Sequence, residues 1–257
     1  MILNFRLEQE FGLKEPIDIS CAAMIFSDVC KNFDVMLETQ KKWFEKGCSR
    51  KQALQHQIFE QESISKDVQA RWEKRYKKNF PFFGEGVWDG EADENSAGID
   101  LTSSISSTCR RANPMMLTIE FPINITTTKL SLDRIINFIQ HLLELNVYCT
   151  YLSIESGGYS FPEIQVKENG YSEIYKKVFP DRISCGWMLY VPHVLLPELI
   201  PEAARVIPVM DGKQQKGTIV VSTEEIFDGN NKEHVGKAND IEIKLLDLGL
   251  LPLMTEL

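Results

Sequence analysis

The chain has 257 residues, 43% of them hydrophobic and 25% charged, with a net charge of −9 and a pI near 5.1. This composition suits a globular protein with a real core, and the acidic balance argues against direct binding of nucleic acid, which selects basic surfaces. The longest uncharged apolar run, Ile183 to Pro197, holds two prolines and is too short to span a bilayer, so no membrane role is indicated.

From the N-terminus, Ile2 to Leu7 alternates apolar and polar side chains, the pattern of a half-buried strand. The opening MILNFRLEQEFG meets a charge at Arg6 and has no long apolar stretch, which is unlike a secretory signal. Ser27-Asp28 offers a cap for a helix running to about Phe44, with Phe26, Val29, Phe33, Met36, Leu37 and Phe44 as its apolar stripe and Gly47 as a stop. Residues 49 to 109 read as a weaker helical stretch followed by an acidic loop. The helical part carries the main basic cluster, Arg71, Lys74, Arg75, Lys77 and Lys78, read as a solvated face.

Between Pro81 and Cys109 there is no Lys or Arg, while Glu85, Asp89, Glu91, Asp93, Glu94 and Asp100 are acidic. Gly84, Gly86, Gly90 and Gly98 suggest loop as far as Ile99, with a polar strand from Leu101 to Ser107. The segment lacks the alternating oxygen ligands, central Gly and closing Glu of a calcium loop. Its sharper reading is an acidic finger that enters a basic cleft on a partner, with Trp88 as the anchor.

Met115 to Phe121 predicts a strand, Leu130 to Leu145 a strongly amphipathic helix capped by Ser131, and Val147 to Ile154 another strand ended by Gly157-Gly158. Glu163 to Tyr175 is polar and carries no clear pattern. Ser184 to Val191 reads as a buried strand closed by Pro192, and Glu198 to Val206 as a short helix stopped by Pro208. Asp211-Gly212 is a turn signal before a core strand from Gly217 to Ser222. Lys232 to Leu248 is a last amphipathic helix, with Ala238, Ile241, Leu245 and Leu248 inward and Gly249 as its stop. Strands and helices without strict alternation predict a single α+β domain, with a mixed or antiparallel sheet packed by amphipathic helices.

Residues that carry chemistry are sparse. The histidines, His56, His141, His193 and His234, show no metal-ligand spacing, and no nucleophile elbow or phosphate loop occurs. Cys21, Cys30, Cys48, Cys109, Cys149 and Cys185 follow no regular spacing, so neither a zinc site nor a disulfide framework is indicated and a reduced, cytoplasmic setting is expected. Cys185, in a buried strand, reads as inert core. An acid-base pair of His234 and Asp240 is the one catalytic alternative; otherwise no catalytic residue, cofactor or metal is expected.

Six segments together carry a resemblance. FPDR at Phe179 to Arg182, GWMLYVP at Gly186 to Pro192, PEAAR at Pro201 to Arg205, GTIVVST at Gly217 to Thr223, HVGKANDIE at His234 to Glu242 and LLP at Leu250 to Pro252 resemble the immunity protein 52 family of bacterial polymorphic toxin systems. The resemblance implies an antitoxin without catalytic residues. Its partner would be a cognate toxin delivered by type VI secretion, a nuclease of restriction-endonuclease fold. It also implies that Gly186, Trp187, Pro192, Gly217, Asn239 and Asp240 are family positions that determine the fold. A scaffold role in the secretion apparatus is the remaining alternative.

Overall fold

The computed structural model describes residues 1–47, 49–60, 62–92, 95–103, 113–126, 130–145, 148–160, 163–167, 170–174 and 176–256. The fold is α+β. A nine-stranded sheet has the order Arg205–Asp211, Gln214–Val221, Met188–Val191, Tyr148–Ser156, Ile2–Gly12, Pro114–Asn124, Gly98–Ser103, Gly84–Trp88 and Phe44–Glu45, and two small two-stranded sheets accompany it. The chain separates into two compact units. One contains most of residues 8–149 and the other Leu3–Leu7 and Thr150–Leu257.

The first unit contains the later part of β1 (Ile2–Gly12), then α1 (Ile19–Leu37), β2 (Phe44–Glu45), α2 (Arg50–Ala53), β3 (Phe59–Glu60) and β4 (Ser63–Ile64). It continues with α3 (Lys66–Asn79), β5 (Gly84–Trp88), β6 (Gly98–Ser103), β7 (Pro114–Asn124) and α4 (Leu132–Leu145). The apolar stripe read from the sequence is its core: Phe26, Val29, Phe33 and Met36 are all buried. The Phe33 ring meets Trp43, Phe121 and Phe138 edge-on at 5.7, 5.4 and 6.1 Å, an arrangement the ring quadrupoles favour.

The helix bearing this stripe starts and stops earlier than Ser27 and Phe44 suggest. Asp18 is the cap, accepting the Cys21 N–H at 2.7 Å, and Glu38 closes the helix in the left-handed region with φ 53°. Asp18 is followed by Ile-Ser-Cys-Ala-Ala, which carries the helix about two turns further back than the aromatic residues show. Phe44 therefore lies in β2, and Gly47 is not a helix stop. The expected acidic loop is also corrected. β5 and β6 form an antiparallel pair, Gly84 opposite Thr102 through Trp88 opposite Gly98, and the loop shrinks to the connection between them.

The second unit contains the rest of β1, β8 (Tyr148–Ser156) from Thr150 on, α5 (Gly157–Ser160), β9 (Glu163–Lys167), β10 (Gly170–Ile174), β11 (Met188–Val191), β12 (Arg205–Asp211), β13 (Gln214–Val221) and α6 (Lys232–Asp247). The helix expected from Glu198 to Val206 does not form. Only a 3-10 turn, Pro197–Leu199, is present, and the chain from Arg205 onward pairs with β13. The β-branched run Val206, Ile207 and Val209 explains the outcome, because its side chains suit a pleated surface better than a helix. Pro208 is tolerated because β12 is the outermost strand, and an irregularity at Val209/Met210 further blunts that edge. The Asp211-Gly212 turn is as read, with Gly212 at φ +59°. Helix α6 buries Ala238, Ile241 and Leu245, and Gly249 ends it at φ +70°. Leu248 is exposed rather than inward, and Glu242 is buried in its stead.

Candidate functional site

Three of the acidic residues singled out in the sequence, Glu85, Asp89 and Asp100, meet counterions on the end of the first unit that carries β2, β5, β6 and α3. Arg71 and Arg75 stand one turn apart on α3. Glu45 of β2 accepts the Arg71 Nε–H at 2.8 Å and an Arg75 Nη2–H at 2.5 Å. Glu85 takes Arg75 as a fork, with Nε at 2.9 Å and Nη2 at 2.6 Å. Burial pushes the Glu45 carboxyl up, but two guanidinium groups outweigh it and hold the group below its ordinary value. Glu85 has only the shared Arg75 and faces Glu45 as well, so burial wins and its carboxyl is raised.

Lys46 and Asp100 form a 2.5 Å ion pair that crosses two glycines. A Cβ on Gly86 would lie 2.3 Å from Asp100 Oδ1 and 2.8 Å from Lys46 Cδ, and one on Gly98 would lie 3.1 Å from Lys46 Nζ. The glycines that suggested a loop thus make room for a side-chain bridge across a strand pair. Asp89 has a fully buried side chain, paired with Lys41 Nζ at 2.5 Å, while its Oδ1 accepts the Glu91 N–H at 3.1 Å.

Trp88 and Glu91 remain at the surface. The half-buried Trp88 ring tilts against Phe44, centroids 6.2 Å apart, and lines a groove of about 520 Å³ with Lys46, Arg50, Ala53 and Glu91. Among the described carboxylates from Glu85 to Asp100, only Glu91 has no cation of its own. Asp93 and Glu94 lie outside the described residues. The counterions escaped the sequence reading because Lys41, Lys46, Arg71 and Arg75 are remote in sequence from the acids they meet.

The second unit contains the residues that carried the sequence resemblance, and a buried carboxyl, Glu242, lies beside some of them. Gly186 has φ +52°, and a Cβ there would meet Ile154 O and Glu155 Cγ at 2.7 Å. Trp187 is buried, donates its backbone N–H to Ile154 O at 2.7 Å and its indole N–H to Thr223 O at 3.2 Å, and packs on Phe5 at 5.4 Å. A Cβ on Gly217 would strike the Tyr190 ring at 2.4 Å. Asn239 donates to Lys176 O at 3.0 Å. Pro192, just past β11, and Asp240 are exposed.

At the centre of this region Glu242 Oε1 accepts the Tyr159 O–H at 2.7 Å and the Cys185 N–H at 2.8 Å, while Oε2 is buried without a hydrogen-bond partner. Burial pushes its carboxyl up to about 7, against the pull of these donors and Lys177. Burial, then the neighbouring Glu242, also raises the Tyr159 hydroxyl and the Cys185 thiol well above their ordinary values, so the thiol is no nucleophile. The sequence clue to Glu242 is its place on the inward stripe of α6, four residues after Ala238.

His234 and Asp240 do not meet. His234 Nδ1 accepts the Asp228 N–H at 3.0 Å and its ring stacks on Phe227, while Asp240 is exposed on another face of α6. Among the described residues no group of three or more His, Cys, Asp or Glu side chains is arranged to hold a metal, and no helix is long and apolar enough to cross a membrane.

Comparison with protein families matches residues 12–254 to Immunity protein 52. The chain belongs to the Immunity protein 52 family. A solved Pseudomonas aeruginosa structure, T6SS protein PA0821, is similar in fold, with a TM-score of 0.53 and 9% identity over 95% of this chain and 72% of that one. Curated protein sequences give no match. As a member of the Immunity protein 52 family, the chain presents two arrangements with different uses. The Glu242 centre is sealed from solvent, and the surface around Trp88 and Glu91 is exposed.

Proposed function

We propose that this immunity protein neutralises a cognate toxin by holding it in a stable complex of at least standard interface size, about 1,600 Å² in total. The single observation that carries this reading is the family match over nearly the whole chain. The finer reading, from the sequence resemblance, is that the toxin is a DNase of restriction-endonuclease fold delivered by type VI secretion, met in the cytoplasm of the cell that makes it. The likeness in fold to a T6SS protein fits that setting. A nuclease needs a basic cleft to hold DNA, and a chain of net charge −9 is attracted to one.

Within the sequence-predicted candidates, we assign contact to Trp88 and Glu91, with Asp93 and Glu94 of the same connection. Glu85, Asp89 and Asp100 instead hold that connection in place through their own cations. In cells producing the protein encoded by the adjacent gene, the wild-type chain should restore growth. Replacing Glu91, Asp93 and Glu94 together by Ala should weaken the complex and flatten its salt dependence. An unchanged affinity and salt slope would remove the acidic connection from the interface.

A further inference from the structure

Away from the Trp88 groove, the first unit displays two large aromatic side chains to solvent. Phe80 is 68% exposed and Phe82 52% exposed, with Pro81 between them also exposed. They are held in place. The Phe82 N–H donates to Asn79 O at 3.0 Å, the Phe83 N–H to Ser103 Oγ at 2.9 Å, and Tyr76 packs against both Phe80 and Phe83 with centroids 5.7 Å away. The pair forms a ridge between two hollows. One, of about 810 Å³, runs along the α3 stripe of Lys66, Ala70, Glu73 and Lys77; the other, of about 250 Å³, is floored by Ile17, Pro114 and Met115. Exposed aromatic rings on a hydrogen-bonded backbone, beside a small apolar hollow and with Phe80 braced by Tyr76, have the anatomy of interface anchors, because little backbone freedom is lost when they are covered.

The rim sets the chemistry of the partner. Lys66 and Lys77 line the larger hollow with Asp18 and Glu73, and Lys74 and Lys78 are exposed further round α3, where Asp67 is the other exposed acid. Lys66, Lys74 and Lys78 make no ion pair among the described residues, and the Lys77–Glu73 pair is largely exposed and therefore weak. This cationic rim sits on a chain of net charge −9, so association of a second copy is opposed by overall repulsion. Binding of nucleic acid is opposed in the same way.

We propose that the Phe80–Phe82 ridge is an anchor of the toxin interface, seated in an apolar pocket of the toxin that is bordered by carboxylates. This rests on the antitoxin reading above. Phe82 lies two residues before β5 and Trp88 ends it, so the two are at most about 20 Å apart at 3.3 Å per residue, and one footprint of about 800 Å² per partner can take in both.

The test uses the full chain and an inactivated form of the protein encoded by the adjacent gene. Phe80→Ala with Phe82→Ala should leave the unfolding midpoint unchanged, since both rings are mostly exposed, and should weaken the complex on the order of 100-fold, chiefly through faster dissociation. Lys74→Glu with Lys78→Glu should slow association, most strongly at low salt. If the wild-type chain binds and both double variants stay within about twofold of it, the ridge is not an anchor. If the wild-type chain does not bind, the antitoxin reading falls and this proposal falls with it.

Discussion

Gly186 and Glu242 show how single residues set the second unit. The backbone at Gly186 turns through the left-handed region against Ile154 O, where any Cβ would collide, and this turn delivers Trp187 to its site against Phe5. The same turn brings the Cys185 N–H to Glu242. Because burial raises the folded-state Glu242 carboxyl from an ordinary 4.5 to about 7, its contribution to stability is fully present below about 4.5 and is lost as pH rises through 7. The shift corresponds to about 3 kcal/mol. Urea midpoints at about pH 5 and about pH 8 should therefore show the wild type losing stability relative to Glu242→Gln by about 2 to 3 kcal/mol. Parallel behaviour of the two proteins would mean that Glu242 is not held neutral by burial.

Among elements, the β5–β6 pair carries the clearest physical lesson. Its glycines and acidic residues read locally as loop, and that reading is sound for an isolated segment. What overrides it is non-local: Lys46 lies across Gly86 and Gly98, and Arg75 binds Glu85 from α3. Neither contact leaves a trace in the spacing of residues 84–100. By contrast, α4, α6 and β7 were legible because each buries one face and so carries its period in its own sequence. β12 lies between these cases. Its prolines suggested a bounded helix, whereas its β-branched residues and its place at the sheet edge made it a strand. The candidate surface was legible in part: Trp88 and Glu91 stand where a partner can reach them, but Asp89 is buried. Lys41→Met would leave that carboxylate without its cation, and it should destabilise the protein by about 2 kcal/mol, less than a fully buried pair would lose because Lys41 is partly exposed. A urea midpoint that does not move would show that the Lys41–Asp89 pair is not structural.

For the molecule as a whole, the formal charge of −9 is less informative than where that charge goes. Within residues 85–100 most of the described negative charge is answered by the chain's own Lys and Arg. The exposed surface of this segment therefore carries less free charge than its sequence suggests. Such a division suits tight binding, since the matched pairs keep the strands rigid while Trp88 and the Phe80–Phe82 ridge stay open. On the proposed interface, electrostatics would govern the rate of encounter and the apolar anchors the lifetime of the complex. The most direct measurement is a titration of the purified adjacent-gene product, assayed for its toxic activity, with this purified chain. The antitoxin account predicts that activity falls to background at equimolar chain and that the two proteins then elute as one complex. Full activity in the presence of excess chain would contradict it.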